Sequence, residues 1–202
     1  MNRKIAMIGA YIESAAVALF AAFLLLDFPF GSYFVCMFLP IGYILTVAGF
    51  FAECDPERRT AACAGLVFAA VYAVLIFLVY FAQTTAVRLS SLNDQALTVL
   101  DFQRGGLLFD YDLLGYGMMA LSTFFAGLSL RPESSPDRWL KRLLMIHGAF
   151  FPGCFLLPMT GAFQSMSNGE AGNGGTVALL CWCVYFLPVC VLTLRHFRSE
   201  KR

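Results

Sequence analysis

The chain has 202 residues, of which 59% are apolar and only 13% are charged, and its mean hydropathy is +0.73. A water-soluble domain of this size could not bury so much apolar surface, so lipid is the expected solvent for most of it. The net charge of +1 gives no indication of nucleic-acid binding.

Six segments are long and apolar enough to cross about 30 Å of hydrocarbon, which takes about 20 residues of helix. They are residues 5–26, 33–53, 61–83, 109–130, 139–163 and 175–195. Uninterrupted apolar runs of this length are helical, because lipid cannot satisfy exposed backbone groups. The sequence therefore predicts an all-α protein in which residues 1–202 form one domain, a bundle of six transmembrane helices.

The first span carries a glutamate, Glu13, within apolar sequence. Small residues recur on the same side at helical spacing, namely Ala6, Gly9, Ala10 and Ala16. A face of small residues lets a second helix approach closely, so we expect Glu13 to face protein rather than lipid.

Three spans contain related proline motifs: "FLPIGYILT" at 38–46, "FLPVCVLT" at 186–193 and the looser "FFPGCFLLP" at 150–158. A three-plus-three inverted repeat, as in many transporters, would relate the second span to the fifth. Three independent proline kinks would explain the same motifs. Both interpretations stay open at the level of sequence.

The longest connection, residues 84–108, contains an amphipathic segment at about 90–102, "SLNDQALTVLDF". Ser91 and Asp94 resemble a capping box, and apolar side chains follow on one side. We predict a short helix that lies over the mouth of the bundle or in the outer headgroup layer.

The fourth span has one polar face. Asp112, Tyr116 and Thr123 follow helical offsets, and Tyr72 of the third span is placed to join them. Together they predict a bundle interior that is polar and opens outward. The alternative for Asp112 is a solvated helix start, favoured by the positive end of the helix dipole.

The fifth span carries His147, and we expect Ser135 to cap its helix. Pro152 has no N–H for the carbonyl of Gly148, which should leave a polar spot one residue past the histidine. Such a spot in a membrane needs a partner or water.

Glu13 and His147 stand at similar depths, about 13 Å beyond Lys4 and about 12 Å beyond Trp139, at about 1.5 Å per helical residue. An ionisable residue inside a span is a candidate functional residue with a partner to be named. Three outcomes stay open for the pair: a structural hydrogen bond between helices, a ligand or proton site, and no contact.

The seven cysteines lie in apolar runs or at their ends and lack metal-ligand spacings. We expect free thiols that act as small packing residues. The last outer loop, "SMSNGEAGNGG" at 165–175, is glycine-rich, and we expect it to be flexible. It lacks the Lys-Ser/Thr ending of a phosphate loop.

The basic residues are distributed unevenly over the two sides of the predicted bundle. Two of them, Arg88 and Arg104, fall on one side and twelve on the other. The twelve are Arg3, Lys4, Arg58, Arg59, Arg131, Arg138, Lys141, Arg142, Arg195, Arg198, Lys201 and Arg202. Because basic loops stay in the cytoplasm, both termini are expected there.

The stretch "LDFQRGGLLFDYDLLGYGMMALSTFFAGLSLRPESSPDRWLKRLLMIHGAFF" resembles a group of uncharacterised multi-pass bacterial membrane proteins. These have a long outer loop and a span that ends in a charged "RWLKRLL"-like re-entry. The resemblance covers about half the chain and implies a six-span bacterial inner-membrane protein. It implies no activity and no site residues.

The leading functional interpretation is a membrane protein without a cofactor that binds or passes a small molecule, lipid or proton through its interior. The candidate binding residues are Glu13, Tyr72, Asp112, Tyr116, Thr123 and His147. One alternative is an intramembrane enzyme with Glu13 and His147 as acid and base; the other is an accessory or sensor subunit that works by helix contacts. Expected partners are anionic lipid at the cytoplasmic face, a small ligand, and a second copy or another membrane protein.

Overall fold

The computed structural model describes residues 1–163 and 174–199, and these residues contain helices and connections but no β-strand. The helices are α1 (Asn2–Leu25), α2 (Pro29–Cys36), α3 (Leu39–Glu53), α4 (Arg59–Ala82), α5 (Asp94–Leu100), α6 (Leu107–Ser129), α7 (Ser135–His147), α8 (Phe150–Leu156) and α9 (Gly174–Arg198). The prediction of an all-α protein is confirmed. Residues 165–173 of the glycine-rich loop predicted at 165–175 lie outside the described residues.

Among the described residues, five helical stretches are long and apolar enough to span a membrane: Asn2–Leu25, Pro29–Glu53, Pro56–Val87, Ser135–Thr160 and Thr176–Arg198. They match five of the six predicted spans, and they are the helices of a membrane protein. The remaining span, 109–130, corresponds to α6 and stays a prediction. Thirteen of the 23 residues of α6 are buried by neighbouring helices, so much of its surface faces protein rather than lipid.

The three proline motifs have two different structural outcomes. The second span breaks after α2 and restarts as α3, with Pro40 in the first turn of α3. The fifth span breaks in the same way between α7 and α8, just before Pro152. In contrast, α9 continues through Pro188 without a break.

The long helices form a closed ring. α1 packs on α3 and α9, α3 on α4, α4 on α6, α6 on α7 and α8, and α7 returns to α9. The start of α1 and the end of α9 meet at one end of the ring, where the Arg3 guanidinium donates a hydrogen bond to the His196 carbonyl at 2.9 Å. We call this the terminal end of the bundle.

The small-residue face predicted for α1 is confirmed, because Ala6, Gly9, Ala10, Glu13 and Ala16 are all buried. The backbones of α1 and α3 approach each other closely at Gly42 of α3. A Cβ atom added to Gly42 would lie 2.6 Å from the backbone nitrogen of Glu13 and 2.7 Å from the Gly9 carbonyl oxygen. Only glycine allows these two backbones to approach so closely.

The amphipathic segment between α4 and α6 is fixed to the end of α4 by a buried glutamine. The Gln83 side chain donates to the Leu100 carbonyl at 2.7 Å and accepts from the Phe102 N–H at 3.1 Å. The short helix predicted there is present as α5. Its cap is Asn93, which accepts from the Ala96 N–H at 2.8 Å, and not Ser91.

The cap expected at Ser135 also lies one residue earlier in the structure. Ser134 is the N-cap of α7 and forms a capping box with Asp137, while Pro136 stands in the first turn. The shift follows from the reciprocal bonds of a capping box, which need an acceptor three residues after the cap. Asp137 is that residue for Ser134.

All seven cysteines are free thiols in the structure. Cys36, Cys183 and Cys190 are buried, as packing residues should be, whereas Cys63 and Cys181 are exposed on the outside of the bundle. Cys54 and Cys154 are half-buried.

Candidate functional site

A cavity of about 1440 Å³ occupies the half of the bundle opposite the terminal end. Its wall comes from the end of α1, the start of α2, the end of α4, the turn at 102–104, the first half of α6, the end of α7, α8 and the first half of α9. The cavity is larger than the ~300–1,000 Å³ of most ligand pockets. We call it the Asp112 cavity.

The wall of the Asp112 cavity is mostly apolar and aromatic, with a small polar group on one side. Asp112 and Tyr116 of α6, Tyr80 of α4, His147 at the end of α7 and Trp182 of α9 form this group. The other polar residues of the described wall are Asp27, Ser32, Tyr33, Gln103, Arg104 and Thr176. A largely apolar pocket with a few convergent polar groups is the usual form of a small-molecule site.

Two of these polar groups lack a hydrogen-bond partner among the described residues: the Oδ1 atom of Asp112 and the hydroxyl of Tyr116. The Tyr80 hydroxyl is a hydrogen-bond partner of the Asp112 carboxyl group. Asp112 is only 2% exposed and Tyr116 only 7%. Because burying an unpaired polar group costs free energy, such groups beside a cavity indicate a place for a ligand or water.

His147, in contrast, is fully paired. The indole N–H of Trp182 donates to Nε2 of His147 at 3.1 Å, so Nε2 acts as an acceptor. In the neutral ring the proton then sits on Nδ1, which donates to the Thr123 hydroxyl at 2.8 Å. Thr123 in turn donates to the Ala120 carbonyl at 2.9 Å. His147 thus ties α6, α7 and α9 together at the edge of the cavity.

The shared face predicted for α6 is confirmed, since Asp112, Tyr116 and Thr123 are all buried. Only Asp112 and Tyr116 of these three line the cavity. Thr123 lies behind His147, and Tyr72 packs against Tyr116 with ring centroids 6.0 Å apart.

The cavity does not continue to Glu13. Behind Tyr116, the rings of Tyr72 and Tyr43 pack edge-on at 5.5 Å and extend the aromatic row across the bundle. Glu13 and Tyr72 are absent from the described residues that line the cavity. An aromatic layer therefore closes the floor of the cavity.

The hydrogen bond expected as one outcome for Glu13 and His147 does not form. Glu13 accepts from the Thr46 hydroxyl of α3 at 3.1 Å, whereas His147 bonds to Thr123 and Trp182. Glu13 and His147 lie at similar depths along their helices, but each side chain faces a different neighbouring helix. Similar depth therefore does not bring the two side chains together. The close approach of α1 to α3 gives Glu13 its partner instead.

The polar spot expected at Gly148 is also satisfied within the chain. The Gly148 carbonyl accepts a hydrogen bond from the Phe151 N–H at 3.1 Å. The break between α7 and α8 tightens the backbone into a turn, so the carbonyl that Pro152 leaves without a helical donor finds one nearby.

Sequence reasoning did not single out Trp182, which orients His147 and lines the cavity. One signal was available: tryptophan is enriched at membrane interfaces, and Trp182 lies inside a span, where its N–H needs a partner. Thr46, the partner of Glu13, carried no comparable signal.

A second polar group lies at the terminal end, formed by Arg3, Glu53, Asp137 and His196; we call it the His196 cluster. His196 Nδ1 is 2.8 Å from Asp137 Oδ1, and Nε2 is 3.4 Å from Glu53 Oε2. Arg3 Nε is 2.9 Å from Glu53 Oε1. In the sequence His196 stands between the basic residues Arg195 and Arg198, and the structure buries its side chain between two carboxylates.

No protein-family model, no curated protein and no solved structure matches this chain.

Proposed function

We propose that this chain is a six-span membrane protein of the bacterial inner membrane, with both termini in the cytoplasm, that binds a small molecule in the Asp112 cavity. The observation that carries the proposal is the pair of buried, unpaired polar groups on Asp112 and Tyr116 beside a large open space. The twelve-to-two distribution of basic residues supports the orientation, which makes the cavity open to the outside.

The side-chain contacts give less support to the two alternative functions, an intramembrane enzyme and an accessory or sensor subunit. An intramembrane enzyme that uses Glu13 and His147 as acid and base would need the two side chains at one reacting atom, and they have separate partners. An accessory subunit that acts through helix contacts would need an exposed face of small residues. The small-residue face of α1 is buried within the chain.

Binding is a better-supported role than passage. Transfer across the bundle would require the aromatic layer of Tyr43, Tyr72 and Tyr116 to open, and these rings are packed against each other. The basic residues near the terminal end support contact with anionic lipid on the cytoplasmic side.

The native Cys154 offers a direct test, because it is half-buried and lines the cavity. A variant that keeps only this cysteine is treated in right-side-out membranes with trimethylammonium-ethyl methanethiosulfonate, which does not cross the bilayer. We expect modification from the outside. Matched single-cysteine variants that keep Cys190, which is buried, or Cys54, near the terminal end, should react far more slowly. Equal rates at Cys154 and Cys190 would contradict an open cavity.

Orientation is tested separately on a cysteine-free background. Asn93→Cys lies in the exposed outer segment and Ser134→Cys in the exposed connection before α7. Position 93 should react with the impermeant reagent in intact cells, and position 134 only after the membrane is opened. The reverse pattern would overturn the orientation and leave the cavity facing the cytoplasm.

A further inference from the structure

We infer that the ligand of the Asp112 cavity is an amphipathic organic cation, with its ammonium head at Asp112 and its apolar chain toward the bilayer. The inference rests on the proposed binding function and names the chemical class of the ligand. The ligand is a single-chain amphiphile that enters from the membrane.

The charges around the cavity favour a cation. Asp112 carries the buried carboxylate, and Asp27 adds a second acidic residue at the wall. Arg104 is the basic residue of the described wall, and its guanidinium is held by Asp94 at 2.6 Å and Asp101 at 3.9 Å. The Asp112 carboxylate therefore has no cation beside it within the described part of the chain.

His147 does not supply the missing positive charge. Its Nε2 accepts the hydrogen bond from Trp182, which an imidazolium could not do. An anionic head group would meet the Asp112 carboxylate without a compensating cation, whereas a cationic head group pairs with the carboxylate and favours its ionised form.

Aromatic rings surround the same space. Tyr33, Tyr80 and Phe102 form one cluster with centroids 5.7 to 6.1 Å apart, and Tyr116 packs edge-on against Trp182 at 5.1 Å. All five residues line the cavity. Aromatic faces together with a carboxylate are the groups that recognise alkylated ammonium ions, because the rings attract a cation that is poorly hydrated.

The apolar part of the wall extends to the outer surface of the bundle. Ile146, Phe150 and Leu157 line the cavity from the α7 and α8 side, and Val177 lines it from α9, yet these side chains are 42 to 57% exposed. α8 packs mainly on α6, and α9 packs mainly on α1 and α7. Phe150 at the start of α8 contacts Tyr185 of α9, with ring centroids 5.8 Å apart. Beyond this contact, an apolar chain can lie between the rest of α8 and α9 while the head remains inside.

The size of the cavity agrees with a ligand larger than a simple amine. At about 1440 Å³ it exceeds the ~300–1,000 Å³ of most small-molecule pockets. A head group at Asp112 leaves room for an alkyl chain along the aromatic wall.

The test uses Trp182 as a reporter, because the chain has two tryptophans and Trp139 is remote from the wall. In the Trp139→Phe protein, reconstituted in nanodiscs of neutral lipid, dodecyltrimethylammonium is titrated while Trp182 fluorescence is followed. We expect saturable binding, with dodecyl sulfate at least about tenfold weaker. Tetramethylammonium, which lacks the chain, should also bind at least about tenfold more weakly.

Asp112→Asn should weaken dodecyltrimethylammonium binding by about tenfold or more, while the neutral amphiphile dodecyl maltoside is affected little. Asp110→Asn is the matched control on the same helix, since Asp110 is half-exposed and does not belong to the described wall. It should leave both affinities unchanged.

The outcomes separate the two proposals. If dodecyl maltoside or dodecyl sulfate binds as tightly as the cation, and Asp112→Asn changes nothing, the cavity binds amphiphiles but the inferred charge class is wrong. If no amphiphile changes Trp182 fluorescence although Cys154 reacts from outside, the cavity is open and the inferred ligand class is wrong. If Cys154 itself does not react, the binding function fails first.

Discussion

Two buried polar regions lie at opposite ends of the bundle, and they differ in whether their charged groups are paired. In the His196 cluster every charged side chain faces one of opposite sign: the imidazole lies between two carboxylates, and Arg3 reaches one of them. In the Asp112 cavity the carboxylate and the Tyr116 hydroxyl keep atoms without partners among the described residues. Paired groups hold helices together, whereas unpaired groups beside an open space are available to a ligand.

A second contrast, between the contact of α1 with α3 and the wall of the Asp112 cavity, appears in the packing. At the contact of α1 with α3, backbones touch and no side chain could be added at Gly42. At Gly153 of α8, which lines the cavity, a Cβ atom would meet nothing within 4 Å. One region is built for close contact and the other leaves space.

The largest expected effect is the loss of the His196 cluster. His196→Ala leaves the Glu53 and Asp137 carboxylates facing each other without the imidazole, so we expect a loss of about 3 kcal/mol in the free energy of unfolding. SDS titration in mixed micelles, followed by circular dichroism, measures it. Arg195→Ala, an exposed neighbour on α9, is the control and should change the value by less than about 0.5 kcal/mol.

The next largest effect is expected from a methyl group added at Gly42, where α3 contacts α1. Gly42→Ala places a Cβ against the backbone of α1, so the two helices must separate and the protein should lose about 1–3 kcal/mol. Gly153→Ala has open space and should be neutral or stabilising by up to about 1 kcal/mol, because alanine favours the helix. Similar losses at both positions would mean that the two regions are packed alike.

A smaller effect is the coupling energy of His147 with its neighbours. His147→Ala combined with Thr123→Val should cost less than the sum of the single changes by about 1 kcal/mol, since the two side chains share a hydrogen bond. His147→Ala combined with Glu13→Gln should be additive to within about 0.5 kcal/mol, because they share no partner. Unfolding of the single and double variants decides between these patterns, and coupling of Glu13 to His147 would contradict the structure.

The smallest expected change is a gain. Asp112→Asn removes a buried, unmatched charge and keeps an oxygen that can accept from Tyr80, so the empty protein should gain about 0.5–1 kcal/mol. The same substitution should weaken binding of the cationic probe. If Asp112→Asn lowers the stability instead, the Asp112 carboxylate has a stabilising partner, as the carboxylates of the His196 cluster do.

The sequence alone determined the helical class, the positions of the long apolar helices and which face of α1 is buried. These follow from local regularities: the length of an apolar run, and the spacing of small residues along one helix. It also identified Asp112, Tyr116 and His147, because polar groups inside apolar runs are few and conspicuous.

The partners of those residues were decided by the tertiary structure. Which helix faces Glu13 depends on the close contact at Gly42, and one of the two partners of His147, Trp182, comes from α9, 35 residues along the chain. Helix length and depth give the height of a side chain but not its direction toward a neighbour. The ring order of the helices sets that direction, and it also leaves the space that makes Asp112 part of a cavity rather than of a pair.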